Sequence, residues 1–341
     1  MKKVMVLLMA LLMVLQTAAY AQANVAAVYD LAQRRLVITG QIGEQSGRMV
    51  TVLTDEYSEE EKPFSEQKLP ASAKLFTTGE GGMVSFSLPL SSALASGKYR
   101  AYFSTETDGK FSKVFLFVNP ADTKTKEALR QINQAADRQE LLAVIESQGL
   151  YLGVDTQTLK ESHLSFAAGV AWSRRASQPD GAFALEGFYD SFLSGLGAAK
   201  MVLDKAVDDA IREYGTQFGV GWAEYSAIPD GQKSQLGLLL QKADYQAKSA
   251  VEIYADCLLL AELRAAESWG IFRDSLLKNA AVLQVDVSAG SGYQKVREDE
   301  RYKIFVNMYN EKNSCWSFGD VYKRQGLRRR RRNLISWILN G

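Results

Sequence analysis

The 341-residue chain carries 40 Lys and Arg against 39 Asp and Glu, but only one His and two Cys. One histidine excludes a zinc site built on several imidazoles, and two thiols are too few to staple a fold of this size, so ordinary apolar cores must hold it. The charge is unevenly spread: residues 320–341 hold seven basic residues and one acidic, Lys2 and Lys3 add two, and residues 22–319 keep 31 basic against 38 acidic, which disfavours nucleic acid as a partner.

The N-terminus, MKKVMVLLMALLMVLQTAAYAQA, has a positive start, twelve apolar residues from 4 to 15, and two A-x-A sites ending at Ala21 and Ala23. That pattern predicts a secretory signal peptide over residues 1–23. The apolar run falls short of the roughly 20 residues a spanning helix needs. The expected location is secreted or cell-surface, off the membrane after cleavage.

From residue 24 to 120 the apolar period is two. Leu36, Ile38 and Ile42 alternate with polar neighbours, and Val84, Phe86, Leu88 and Leu90 share one strand face. Asp108-Gly109 reads as a hairpin turn, and Gly79–Val84 (GEGGMV) as a strand connection rather than a phosphate loop, because no helix follows it. Six or seven short strands predict an antiparallel β-sandwich over residues 24–120.

After Pro120 the period becomes three to four, so residues 121–319 are expected to form an all-α bundle or repeat domain. Asp137 with Glu140 fits a capping box. Phe188, Phe192, Leu196, Ala199, Leu203, Ala206 and Ala210 line one face of an expected helix of roughly eight turns. Ala250, Ile253, Cys257 and Leu260 share another face, which makes Cys257 a buried apolar thiol. Pro-Asp-Gly turns stand at 179–181 and 229–231. Residues 132–155 and 263–286 align without a gap at a spacing of 131, pairing Ile132 with Leu263, Leu141 with Phe272 and Asp137 with Ser268; Asp155 and Asp286 would cap the helices that follow. This echo divides the helical part into a first unit at 121–262 and a second, truncated one at 263–319.

Three stretches carry resemblances. LVITGQIGEQSGRMVTVLTDE, GEGGMVSFSLPL and SGKYRAYFS look like the immunoglobulin-like or fibronectin-III-like modules of bacterial surface proteins, where a Gly-Lys-Tyr corner opens a late strand. ALRQINQAADRQELLAVIESQGLYLGVD resembles the helical units that follow such modules in large Gram-positive surface proteins; Asn133, Ala135, Leu152, Gly153, Val154 and Asp155 carry the likeness. Residues 320–325 (DVYKRQ) resemble the in-frame translation of a transposon mosaic end used to prepare sequencing libraries. That last resemblance marks 320–341, with five consecutive arginines at 328–332, as a foreign tail.

No residue pattern in the sequence spells a reaction. His163 stands alone on an expected helix surface, G-x-S-x-G and phosphate-loop motifs are missing, and the acidic run Asp55, Glu56, Glu59, Glu60, Glu61 lacks calcium-loop spacing. Asp208 and Asp209 are the other carboxylate pair. The expectation is therefore a non-catalytic surface protein with a spacer or adhesive role, with no catalytic, cofactor or metal residues and no cofactor. Its partner would be a cell-wall polymer, a glycan or another surface protein. The alternative is an accessory region of a larger extracellular carbohydrate- or peptide-degrading enzyme.

Overall fold

The computed structural model describes residues 23–31, 33–59, 72–105, 110–280 and 297–311. Residues 1–22 of the expected signal segment, the Asp108-Gly109 turn, Glu60, Glu61, Asp286, Cys315 and the arginine run lie outside the described residues, whereas Ala23 already belongs to the first strand.

Seven strands come first: β1 (Ala23–Asp30), β2 (Arg35–Ile42), β3 (Met49–Glu56), β4 (Ser72–Thr77), β5 (Met83–Pro89), β6 (Gly97–Thr105) and β7 (Lys110–Phe117). They form two antiparallel sheets, ordered β1-β2-β5 and β4-β3-β6-β7. The two-residue period decides which side chains turn inward: Leu36, Ile38 and Ile42 on β2, Val50 and Val52 on β3, and Val84 and Leu88 on β5 are buried. The sheets meet through aromatic pairs, Tyr29 with Phe117 at 4.9 Å between ring centres and Phe76 with Phe86 at 3.7 Å. Gly40 sits at φ 137°, where a Cβ would fall on the Asn24 carbonyl, so only glycine lets β1 close on β2 there. GEGGMV forms a 3-10 turn at Glu80–Gly82 that leads into β5, as a strand connection should.

A helical region follows: α1 (Thr123–Gln134), α2 (Arg138–Gln148), α3 (Glu161–Arg175), α4 (Leu185–Val202), α5 (Val207–Tyr214), α6 (Trp222–Ser226), α7 (Asp230–Leu240), α8 (Ala250–Ala265), α9 (Trp269–Lys278) and α10 (Glu298–Glu311). The change of period at Pro120 is thus a change of backbone, from β7 ending at Phe117 to α1 starting at Thr123. The joint between them is a buried polar knot. The Asn119 N–H donates to Ser96 Oγ (2.7 Å), Ser96 and Thr125 share a hydrogen bond (2.7 Å), and Thr125 Oγ1 donates to the Tyr151 carbonyl (3.0 Å). Asp122 caps α1 by accepting from Lys124 N, and also accepts from Ser96 N at 2.6 Å. The described residues divide into two compact units, those up to 159 with 175–189, and 160–174 with those from 190 onward. The strands and the first two helices belong to the same unit, so the composition change at Pro120 is not where the contacts thin out.

Three local expectations change. The eight-turn helix is two helices: Leu203 is 45% exposed and Lys205 takes φ 56°, which ends α4 and restarts the chain as α5. Asp137 does accept from Glu140 N (2.8 Å), but Glu140 returns to Ala136 N (2.6 Å), one residue before the cap. Asp155 offers no side-chain cap; it reaches back to Lys98 of β6 at 2.8 Å.

The echo at 131 has a geometric counterpart. Ala135 and Ala266 end their helices with φ, ψ of −51°, 128° and −57°, 122°, and Asp137 and Ser268 then cap α2 and α9 in the same extended conformation. A second recurrence, at a spacing of 66, falls between them. The turns Gly149–Leu152 and Gly215–Phe218 both close on a left-handed glycine, Gly153 (φ 80°) and Gly219 (φ 70°). In both, the valine that follows donates back to the first glycine: Val154 N to Gly149 O at 2.8 Å, and Val220 N to Gly215 O at 3.0 Å. Ile145 and Ile211 are buried one turn earlier, and Leu276, 65 residues further on, packs against the cluster around Phe272. The spacing of 131 is therefore two steps of about 65 residues.

Candidate functional site

The candidate groups singled out in the sequence go to different places. His163 is buried on α3, 5% exposed, rather than lying on a helix surface, because α3 buries residues around most of its circumference. Its Nε2 lies 3.1 Å from Asp204 Oδ2, and Lys160 Nζ approaches the same carboxylate at 2.9 Å. Lys160 first, then His163, holds the Asp204 carboxyl below its usual range. The imidazole is thus buried against the loop between α4 and α5, with its Nε2 close to Asp204 but outside hydrogen-bond geometry. Cys257 is buried among the α8 side chains, and desolvation pushes its thiol up to about 12. A thiol so shifted is neither a nucleophile nor a ligand at neutral pH.

Asp55 and Glu56 lie at the end of β3, opposite Arg100 and Tyr99 of β6. Arg100 stacks on Tyr57 at 5.1 Å and donates to the Ser58 carbonyl, so a cation already accompanies this acidic edge. Among the described residues no group of His, Cys, Asp or Glu is arranged to hold a metal ion. Of the helical aromatics, Phe188 and Tyr225 are buried, while Tyr151, Trp172, Tyr189 and Trp269 are half-buried. Trp222 keeps 37% of its surface in water.

Asp208 and Asp209 are brought to a feature that no motif announced. A groove of about 500 Å³ runs between α5 and α7, lined by Lys205, Asp208, Asp209, Tyr225, Asp230 and Lys233. Each wall has a local cause. Asp208 and Asp209 occupy the first turn of α5, where the helix N-terminus favours carboxylates. Pro229 precedes Asp230 at the start of α7, so the second Pro-Asp-Gly opens a helix, whereas the first, at Pro179–Gly181, is a 3-10 turn. Tyr225 comes up from α6 and donates its hydroxyl to Asp208 Oδ1 at 2.6 Å; burial, then Asp208, raises its phenol well above the usual value. Lys233 lies over the Tyr225 ring at 5.4 Å and donates to the Ser226 carbonyl at 3.1 Å. Trp222, whose ring centre is 5.7 Å from that of Tyr225, carries Arg212 over one face at 4.5 Å.

Halfway along α7, Gly237 also faces the groove, and an added Cβ there would meet nothing nearer than Val207 Cγ2 at 3.9 Å. Glycine inside a helix costs about 1 kcal/mol relative to alanine. Chemically, the groove offers carboxylates and ammonium groups, of which Asp208 and Lys233 are held by hydrogen bonds. The chain matches no family model, no curated protein and no solved structure.

Proposed function

We propose that this chain is a secreted or cell-surface modular protein that works as a spacer and an interaction surface, without catalysis of its own. In this reading residues 24–120 are an immunoglobulin-like or fibronectin-III-like β-sandwich, and the helices form an all-α array of repeated units. The observation that carries it is the recurrence of the same glycine turn at Gly149–Leu152 and Gly215–Phe218, with the same capped junction at Ala135 and Ala266. Units that repeat in this way bury their faces on neighbours and present extended outer surfaces.

Two features support the sandwich. The strand orders β1-β2-β5 and β4-β3-β6-β7 divide seven antiparallel strands three and four. Tyr99, near the start of β6, donates its hydroxyl to the Ala95 carbonyl at 2.9 Å, as the tyrosine corner of such sandwiches does. The non-catalytic part rests on what is locked away: His163 against Asp204, and the Cys257 thiol behind its raised pKa.

The test is to incubate the purified chain with insoluble cell-wall polymer, chromogenic glycosides and peptide substrates. Co-sedimentation with the polymer and no turnover is the expected result. Turnover abolished by a single substitution would overturn the reading.

A further inference from the structure

We infer that the seven strands act as the end cap of the helical array: they open and close with α1 and the first glycine turn as one cooperative body, rather than hanging from it as a separate module. That role rests on the array reading above and adds what covers the array's first helix.

Repeated units bury their faces on neighbours, so the first of them needs a cover of another kind. α1 stands in the chain position of α8, since Ala135 ends the one as Ala266 ends the other. Later helices pack on the helix before them. A Cβ on Gly195 of α4 would come within 2.7 Å of Ala167 Cα on α3, and α8 lies against α7. The element before α1 is a strand, β7, and the strands supply its cover. Thr125 of α1 is buried against Ser96, 2.7 Å away. Val118, just past β7, puts Cγ2 3.0 Å from where a Cβ on Gly153 would sit, so a left-handed glycine lets the first turn close on the end of the sheet. Beside Gly219 of the second turn the neighbour is instead Val251 of α8, at 3.3 Å. Lys98 of β6 then reaches Asp155 at 2.8 Å and Gln157 at 3.3 Å, just beyond the first turn.

Asn119 buckles the two parts together, and it is buried. Its N–H donates to Ser96 Oγ, and its Nδ2 donates to the carbonyls of Ser92 and Leu94, both at 2.8 Å. Its Oδ1 accepts from Ala121 N and its carbonyl from Asp122 N, each at 3.0 Å. The first set of bonds holds the connection between β5 and β6, and the second holds the residues that start α1. Opening one side alone would leave buried amide groups without partners. The strands, α1 and the first turn also fall within one compact unit.

The test is native-state hydrogen exchange on the full chain across a series of urea concentrations. The slowest amides of β6, those of α1 and those of Gly149–Val154 are expected to share one opening, with the same free energy and the same urea slope. Gly153→Ala acts from the helical side, where the added Cβ meets Val118 and Tyr189 at φ 80°. It should speed exchange in β6 as much as in α1, by about fivefold or more. Asn119→Ala should likewise raise both sets by one common factor. Opening of α1 at a lower free energy or a smaller urea slope than β6, or a variant that speeds one set and spares the other, would overturn the cap. Exchange in the parent chain decides this by itself, so a variant that failed to fold would not leave the matter open. Separate openings would make the strands an independent module, while the recurring turns and co-sedimentation with polymer would still stand.

Discussion

Ser96 shows how much one hydroxyl organises. Because Thr125 donates to the Tyr151 carbonyl, the hydrogen between Ser96 and Thr125 belongs to Ser96, and a single directed chain runs from Asn119 N–H through two hydroxyls to a carbonyl. Replacing Ser96 with Ala orphans the buried Asn119 N–H, so urea unfolding should show a loss of about 2 kcal/mol, and adding Thr125→Val should cost less than the sum of the two. Asp122 adds a pH term to the same joint. Burial alone would raise its pKa, but the N–H groups of Ser96 and Lys124 bring it below the usual value. A carboxyl depressed in the folded state stabilises above its unfolded pKa, and that stability is lost as pH falls through the folded value. The chain should thus lose stability as pH drops below about 4, and Asp122→Ala should flatten the acid limb of a pH–melting curve. Cys257 behaves oppositely. With its thiol at about 12, mass-spectrometric mapping should find it unlabelled by maleimide at pH 7.5 in the folded chain and labelled in urea. Its burial was legible, since Ala250, Ile253, Cys257 and Leu260 share a face and are all buried. The burial of His163 was not, because its partner Asp204 lies 41 residues away in a loop without a sequence signature.

At the scale of elements, apolar spacing predicts type better than length. The strands follow it closely: each named apolar set on β2 and β5 faces inward, with Phe86 and Leu90 half-buried. The helical pattern from Phe188 to Ala210 ran unbroken through a real break, because a face of threes and fours continues across two helices when the connection preserves the register. What breaks the helix is a left-handed Lys205, which hydrophobic spacing does not report, beside an Asp204 that Lys160 holds by hydrogen bonds. Left-handed backbone costs a side-chain residue about 1 kcal/mol that glycine avoids. Lys205→Gly should accordingly raise stability by about that amount in thermal unfolding. Continuity of α4 and α5 in the variant, seen as a gain in helical circular dichroism, would show that something other than the lysine's conformation divides them.

At the scale of the molecule, period and charge matter most. The step of about 65 residues was half-visible: the echo at 131 was legible because Ala135 and Ala266 keep their identity, while the intermediate copy shows mainly in the glycines and valines of its turn. The groove was not legible, since its residues belong to three helices and become neighbours only through packing. Charge gives the last prediction. Residues 22–319 carry seven more acidic than basic residues, whereas 320–341 carry six more basic than acidic. Any affinity of the whole chain for a polyanion should therefore reside in the tail. If the arginines at 328–332 contribute five phosphate contacts, binding to duplex DNA should fall about 10²- to 10³-fold between 50 and 200 mM salt. Deleting 320–341 should abolish retention on immobilised DNA at low salt while leaving the melting temperature unchanged. Equal retention of the shortened chain would mean that a basic surface within the acidic body, and not the arginine run, meets the polyanion.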